Sequence, residues 1–380
     1  MWHKAQKRAD SDVDPSVYLP SISGILLRWQ DSNLRPSGYE PDELPTAPHR
    51  DQYSRFRDGE DSRVVFLCKR KSCPVSQTNA KALHRAGFVN IIGSPNVGKS
   101  TLMNRLVGER LSIINAKAQT TRHRIMGIVS GEDWQIVYSD TPGVLDPSYK
   151  LQEGMMKFVR TALRDADVLL IVTTPEETTL AHPETLEKVQ RMDIPVLLLI
   201  NKIDLGDQEA IKERIAHWQE LIPRAEIHPI SALHGFNLDH LLGRIIALLP
   251  SSPAFFPKDE MTDKPMRFFV SEIIREKILT HCRQEVPYSS EVVVETFKED
   301  QTKEGKPLRR IEATIQVARE SQKAILIGAG GSMIKRLATD ARKDLERFLK
   351  EKVFLELRIK VDKDWRDDER KLKQYGYFNG

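Results

Sequence analysis

The chain has 380 residues and a formal net charge of +4; 40% of its residues are hydrophobic and 29% are charged, as in an ordinary globular protein of more than one domain. It contains no run of about eighteen apolar residues, which excludes a membrane-spanning helix. The three cysteines, Cys68, Cys73 and Cys282, have neither zinc spacing nor an even disulfide framework, which suits a reducing cytoplasm.

Residues 1–82 form an irregular extension with no strand or helix period, which predicts a disordered segment. Scattered aspartates and the lack of an apolar core argue against a targeting peptide. The stretch 31–44 (DSNLRPSGYEPDEL) can be back-translated into the opposite strand of a transfer RNA gene. One hypothesis is therefore an over-extended reading frame with a true start near Leu83; the alternative is a translated, disordered extension.

From residue 84 apolar runs alternate with helical stretches: FVNII, QIVYSD, DVLLIVT, PVLLLINK and AEIHPIS. This alternation predicts, over 83–250, an α/β domain with a mostly parallel sheet and helices on both faces. The proline-rich segment 251–265 is predicted to be a linker. Residues 266–380 then indicate an α+β domain with the order helix, strand, strand, helix, helix, strand.

The stretch GSPNVGKS follows the first apolar run and precedes the helical stretch TLMNRLVGERL. Its G-x-x-x-x-G-K-S spacing predicts a loop whose backbone N–H groups cradle phosphates, with Lys99 at the β- and γ-phosphates and the Ser100 hydroxyl as a Mg²⁺ ligand. The following helix adds its positive end. The predicted contacts are Gly93, Ser94, Pro95, Asn96, Val97, Gly98, Lys99, Ser100 and Thr101.

The stretch NKID, at 201–204, distinguishes GTP from ATP. The Asp204 carboxylate can accept hydrogen bonds from N1–H and the amino group of guanine, which adenine does not offer. Asn201 and Lys202 are predicted to brace this loop and cover the base. A further contact to O6 of guanine is predicted from the later SAL stretch, which comprises Ser231, Ala232 and Leu233.

Two more stretches lie where the γ-phosphate is sensed. The first is DTPG, which comprises Asp140, Thr141, Pro142 and Gly143. Asp140 is predicted to hold Mg²⁺ through water, and the Gly143 N–H to face the γ-phosphate. The second is QTTRHR, at 119–124, where Thr121 is our choice for a Mg²⁺ ligand and Thr120 is the competitor. The predicted catalytic residues are Lys99, Thr121 and Gly143.

These motifs, followed by SEIIREKIL, EVPYS, ARESQKAILIGAGGSMIK and WRDDERKLKQYGY, resemble the Era family of GTPases over about residues 84–380. The resemblance implies a P-loop G domain followed by a type II KH domain, with GTP or GDP and Mg²⁺ bound. It implies a monomer that binds the 3′ end of 16S ribosomal RNA and acts in assembly of the small (30S) ribosomal subunit. A cytoplasmic location is implied, and peripheral contact with the inner face of the cell membrane stays open.

Two positions bear on hydrolysis. Val144 follows DTPG, where a Ras-type arrangement has a glutamine that orients water, so we expect slow intrinsic turnover. Related GTPases use an asparagine at the position of Asn96 to hold K⁺ beside the phosphates. The alternative is that Asn96 only shapes the turn.

The KH-like domain contains a GxxG turn, Gly328-Ala329-Gly330-Gly331, between two predicted helices. Such a turn lets an RNA backbone approach, and Lys323, Lys335 and Arg336 are the predicted phosphate contacts. Residues 321–350 carry seven Lys or Arg against three Asp or Glu, although a solvated basic face is the alternative. Ala329 stands where many family members have lysine, which puts one phosphate contact in doubt.

The leading hypothesis is a GTP-hydrolysing switch whose nucleotide state alters RNA binding, with movement relayed through the linker 251–265. The alternative is an RNA-binding chaperone that uses GTP mainly as a structural ligand. Transfer RNA modification is disfavoured because neither a catalytic cysteine nor a cofactor loop accompanies the G domain.

Overall fold

The protein was analysed as a computed structural model that describes residues 84–180 and 182–378, together with the backbone of Arg63–Val65. The extension predicted over 1–82 therefore lies outside the described residues apart from that short strand. Cys68, Cys73 and the start expected near Leu83 lie outside them as well. Cys282 is described and is buried as a free thiol.

The strands of the described part are β1 (Arg63–Val65), β2 (Arg85–Ile92), β3 (Ile125–Ser130), β4 (Trp134–Asp140), β5 (Val168–Thr173), β6 (Val196–Ile200), β7 (Glu226–Pro229), β8 (Glu260–Pro265), β9 (Ser290–Gln301), β10 (Pro307–Val317) and β11 (Lys352–Val361). The helices are α1 (Lys99–Val107), α2 (Lys150–Arg164), α3 (Pro183–Gln190), α4 (Gln208–Leu221), α5 (Leu238–Leu248), α6 (Met266–His281), α7 (Glu320–Ile327), α8 (Ser332–Leu349) and α9 (Glu369–Gln374). No helix among these residues is long and apolar enough to cross a bilayer.

A six-stranded sheet forms the first domain, with the order β3-β4-β2-β5-β6-β7. All neighbouring pairs are parallel except β3 with β4. The strands β5 and β6 are buried along their whole length because helices cover both faces. The predicted mostly parallel α/β sheet is confirmed. Its antiparallel edge strand β3 was not predicted.

The second domain has the predicted order of elements, α6-β9-β10-α7-α8-β11, around a sheet ordered β11-β10-β9. On β10 the predicted apolar face is buried: Ile311, Ala313, Ile315 and Val317 are at most 1% exposed. These side chains pack with Val270, Leu337 and other residues of the covering helices. The predicted α+β KH domain is confirmed.

Part of the segment predicted to be a linker is a strand. Residues 260–265 form β8, which pairs antiparallel with the short strand β1 and also contacts the edge strand β3. The Thr262 hydroxyl donates to the Met126 carbonyl oxygen over 2.7 Å, and the Asp263 carboxylate accepts from the Met126 N–H over 3.1 Å. Met261 is buried in the core of the first domain. The chain is therefore anchored to the G domain up to the residue before α6.

Candidate functional site

The phosphate loop lies between β2 and α1, and Gly98 is where it turns into the helix. Gly98 has φ 100°, and a Cβ there would lie 2.3 Å from the Asn201 side-chain nitrogen. Only glycine tolerates both this backbone conformation and this contact. The amide of Asn201 donates to the Val97 carbonyl oxygen over 2.8 Å, so the NKID loop directly supports the phosphate loop.

Lys99 lies folded over this loop and is 7% exposed. Its ammonium group donates to the carbonyl oxygens of Gly93 and Ser94, over 3.0 and 2.7 Å. Burial lowers the pKa of Lys99 to about 8, although Asp140 nearby favours the charged form. Phosphate oxygens at this position would also favour the charged ammonium.

The three predicted metal ligands lie together beside Lys99. The Ser100 hydroxyl donates to the Asp140 carboxylate over 2.8 Å, and the Thr121 hydroxyl donates to the same oxygen over 3.2 Å. The two hydroxyl oxygens lie 2.9 Å apart. The other carboxylate oxygen of Asp140 is buried without a hydrogen-bond partner among the described residues. Burial raises the pKa of Asp140, an effect that a cation beside it would oppose. This set of hard oxygen donors fits Mg²⁺.

The side-chain hydroxyls of the two neighbouring threonines of QTTRHR point in different directions. The Thr121 hydroxyl points to Ser100 and Asp140, as described above. The Thr120 hydroxyl instead donates to the Lys117 carbonyl oxygen over 2.5 Å, within its own loop. Of the two candidates, only Thr121 contacts the predicted metal ligands.

The predicted base loop is held by contacts between its two motifs. The Ser231 hydroxyl donates to one carboxylate oxygen of Asp204 over 2.6 Å. The Ala232 N–H donates to the side-chain oxygen of Asn201 over 2.9 Å. Lys202 has φ 62° and lines the cleft. Leu233 is exposed, and its carbonyl oxygen accepts a hydrogen bond from Arg105 over 2.6 Å, which fixes this loop to α1.

The DTPG turn lies against the phosphate loop. The Thr141 hydroxyl donates to the Ile91 carbonyl oxygen over 2.7 Å, and the Val144 N–H donates to the Gly93 carbonyl oxygen over 3.1 Å. Pro142 is buried and Gly143 lies against Pro95. Val144 is 2% exposed, so its side chain points into the core and away from the cleft.

A cleft of about 410 Å³ runs along these motifs. Predicted nucleotide contacts that line it are Pro95, Asn96, Gly98, Lys99, Ser100, Thr101, Thr121, Thr141, Gly143 and Lys202. The wall also includes Ile113, Ile114, Asn115 and Ala116, which the motif search missed. Their position in the sequence, between the phosphate loop and QTTRHR, could have predicted that they line the cleft.

The GxxG turn connects α7 to α8 on the second domain. Gly328, Gly330 and Gly331 have φ values of 71°, 57° and 78°. Ala329 and Gly330 are exposed, and no side chain caps the start of α8. The N–H groups of Gly328 and Gly331 donate within the turn, to the carbonyl oxygens of Ala324 and Gly328, so the N–H groups of Ala329 and Gly330 are the ones a phosphate can approach.

The predicted basic contacts flank this turn. Lys335 and Arg336 are exposed and Lys323 is half-buried, and none of them is ion-paired to a described carboxylate. Ile325 and Ile327, both exposed, provide an apolar surface beside them. This arrangement can hold an RNA backbone and leave apolar surface for its bases.

Two family models match the chain. One is described as a 50S ribosome-binding GTPase and matches residues 88–202; the other is described as a KH domain and matches residues 285–366. GTPase Era of Clostridium kluyveri is 43% identical over 294 residues, which span 77% of this chain and 99% of the relative. GTPase Era of Geobacter metallireducens is 46% identical over 294 residues, which span 77% and 98%.

Two solved structures are similar over both domains. Era in complex with MgGDPNP and nucleotides 1506–1542 of 16S ribosomal RNA has a TM-score of 0.72 and 38% identity, and the match covers 77% of this chain and 99% of the other. A variant of Aquifex aeolicus Era bound to GDP and AlF4⁻ has a TM-score of 0.71 and 38% identity, with the same coverage.

Proposed function

The chain belongs to the Era family of GTPases, and from this membership we propose that it is a GTP-driven switch that binds 16S ribosomal RNA and acts in small-subunit assembly. It binds GTP and GDP and hydrolyses GTP to GDP and phosphate. The observation that carries the proposal is the meeting of Ser100, Thr121 and Asp140 beside the phosphate loop, on a chain that also exposes a glycine turn flanked by lysines and arginine.

In the proposed nucleotide site, Lys99 binds the β- and γ-phosphates and the Gly143 N–H faces the γ-phosphate. Ser100 and Thr121 would hold Mg²⁺ directly, and Asp140 would hold it through water. When bound, Mg²⁺ neutralises charge that develops on the phosphates. The support for these assignments is the contact of both hydroxyls with Asp140 and its unpartnered second oxygen.

We propose slow intrinsic hydrolysis because Val144 is buried and cannot orient the attacking water. Asn96 is exposed at the cleft with φ 65°, which suits either K⁺ binding or a role in the turn alone. Hydrolysis rates in matched KCl and NaCl separate the two roles: a faster rate in KCl supports K⁺, and equal rates support the turn.

Guanine selection is tested by Asp204→Asn. Because the amide cannot accept both hydrogen bonds from guanine, we expect GTP affinity to fall by about 5- to 150-fold, which corresponds to about 1–3 kcal/mol for one unpaired group. Binding of a fluorescent GTP analogue measures this loss. The matched control is Asp207→Asn at the N-cap of α4, a position where asparagine caps a helix as well as aspartate does. Unchanged GTP affinity in Asp204→Asn would contradict the assignment.

The proposed RNA target is the 3′ end of 16S ribosomal RNA on the small subunit, bound through the GxxG turn with Lys323, Lys335 and Arg336. This proposal is supported by the similarity to Era crystallised with that RNA segment. We also propose that the protein is a monomer in the cytoplasm; peripheral contact with the inner face of the cell membrane is the alternative location.

Filter binding of a 16S 3′-end fragment, with a scrambled fragment of equal length as control, tests this target. We expect tighter binding of the native fragment with a GTP analogue than with GDP. Equal binding in both nucleotide states would favour the alternative, a chaperone that uses GTP as a structural ligand. Loss of discrimination between the two fragments would contradict the proposed target.

A further inference from the structure

The segment QTTRHR, here called the switch segment (119–124), is held by both domains. Thr121 contacts Ser100 and Asp140 in the G domain. The next side chain, Arg122, turns the other way and enters the KH domain, where it is 1% exposed. The predicted Mg²⁺ ligand and a buried interdomain contact are thus adjacent residues.

Arg122 makes a set of hydrogen bonds that fits a guanidinium fork. One terminal nitrogen donates to the Pro287 carbonyl oxygen over 2.8 Å. The other donates to the Ser290 carbonyl oxygen over 2.7 Å and to the Glu291 carboxylate over 3.1 Å. These acceptors lie in the turn that leads into β9 and in the first residues of that strand. The position of the Arg122 side chain therefore depends on the position of the KH sheet.

The contact is completed by the C-terminal segment. Tyr377 is fully buried, and its hydroxyl donates to the same carboxylate oxygen of Glu291 over 2.7 Å. The Tyr377 ring stacks on His123, with ring centroids 4.3 Å apart. Through its contacts with His123 and Glu291, Tyr377 therefore connects the switch segment and the KH sheet to the end of the chain.

A second arginine reaches the switch segment from the KH domain. Arg275, on α6, is paired with Glu272 through two hydrogen bonds of 2.7 Å each. The same guanidinium donates to the carbonyl oxygen of Thr120. Interdomain hydrogen bonds therefore stand on both sides of Thr121 in the sequence.

These contacts constrain how the switch segment can open. Consecutive Cα atoms are about 3.8 Å apart, so Thr121 cannot move far from the metal site while Arg122 stays in place. Withdrawing Arg122 leaves Glu291 buried without its charge partner, which is unfavourable. We propose that Arg122 is a positioning residue that couples closure of Thr121 over the metal site to docking of the KH domain. Because such coupling is reciprocal, the nucleotide biases the KH domain and the KH domain biases nucleotide preference.

This inference rests on the proposed switch function, and the full-length chain tests it. The variants are Arg122→Ala and Arg122→Lys; lysine keeps the charge but lacks the fork that spans all three acceptors. The matched control is Arg110→Ala, which removes another interdomain ion pair, to Glu276, outside the switch segment. Fluorescence titrations measure affinity for GDP and for a non-hydrolysable GTP analogue, and filter binding measures affinity for the 16S 3′-end fragment in each nucleotide state.

For Arg122→Ala we expect the preference for the GTP analogue over GDP to fall about tenfold, within the usual range of coupling factors, with GDP affinity nearly unchanged. The ratio of RNA affinities in the two nucleotide states should approach one. Arg122→Lys should be intermediate, and Arg110→Ala should keep both wild-type ratios. A merely structural role would lower the melting temperature and the active fraction but leave both ratios intact.

The outcomes separate this inference from the function on which it rests. Wild-type ratios in Arg122→Ala, or in Arg122→Lys where the alanine variant does not fold, overturn the coupling role alone. A wild-type protein whose RNA affinity is the same with both nucleotides overturns the switch function and the coupling together.

Discussion

Among single residues, burial controls the charge of a histidine that does not line the cleft. His228, on β7, is 5% exposed and lies beside Glu226 and His240. Burial lowers the pKa of His228 to about 4, although Glu226 acts in the opposite direction. His228 is therefore neutral in the folded protein at neutral pH, with one ring nitrogen buried and unpartnered among the described residues.

This burial predicts a loss of stability in acid. Between the ordinary histidine pKa of 6.5 and about 4, the unfolded chain binds a proton at His228 that the folded chain does not. The free energy of unfolding therefore falls as the pH falls through this window, by up to about 1.4 kcal/mol per pH unit. Urea unfolding of wild type and His228→Gln at about pH 7 and about pH 5 measures the difference.

We expect His228→Gln to lose less stability on acidification than the wild type does. The matched control is His234→Gln, because His234 is exposed and remains in contact with water in both states. An acid-induced loss in His228→Gln equal to that of the wild type would contradict the prediction.

Among the elements, the connection between α7 and α8 is shaped by its glycines. Gly328 has φ 71°, and a Cβ there would lie 2.8 Å from the Cβ of Met333, so a side chain at this position strains the turn. Gly330 and Gly331 face open space. The first glycine therefore permits the turn between the helices, whereas the later two leave room for another molecule to approach.

Because Ala329 is exposed, we predict that Ala329→Lys strengthens RNA binding. The added ammonium group lies at the exposed turn, so it can contact an RNA phosphate without displacing packed atoms. We expect tighter binding of the 16S fragment and a salt dependence steeper by about 0.7 in log–log slope, the value for one more phosphate contact on a single strand. Filter binding at several salt concentrations measures both quantities.

The control for this prediction adds the same charge elsewhere. Ala254 is exposed on the segment that follows α5, so Ala254→Lys should leave the salt slope at its wild-type value. An equal increase in slope for both variants would indicate a general charge effect and not a contact at the turn.

At the scale of the whole molecule, the two domains share apolar side chains. Phe269, on α6 of the KH domain, is 3% exposed and belongs to the core of the G domain. Its ring packs with Phe268 and Phe348 at centroid distances of 5.5 and 5.8 Å. Together with the contacts of Arg122 and Arg275, this packing joins the two domains into one cooperative unit.

We therefore predict one calorimetric unfolding transition for the wild type, shifted upward by GDP as a whole, because a ligand stabilises every part that unfolds with its site. Phe269→Ala removes a large buried ring at the domain boundary, at a cost of about 3–5 kcal/mol. We expect the transition to split, leaving a KH transition that GDP does not shift. Differential scanning calorimetry with and without GDP measures this.

The matched control for the domain boundary is Phe297→Ala. Phe297 packs within the KH domain alone, against its own core. Its loss should lower the transition temperature while the transition remains single and sensitive to GDP. A single GDP-sensitive transition in Phe269→Ala would contradict the predicted role of the boundary.

The spacing of residues over short stretches of sequence was sufficient to predict the fold class and the order of the motifs. The loop GSPNVGKS is a local structure, because glycine spacing and the start of α1 lie within a few residues, and the alternation of β10 shows its buried face directly. Contacts between residues far apart in the sequence could not be predicted from the sequence. The edge strands β3 and β8 depend on partners elsewhere in the chain, and Arg122 bonds to residues more than 160 positions away. Only the folded chain, which brings distant acceptors beside one guanidinium, separates Thr121 from Thr120 and connects the switch segment to the KH domain.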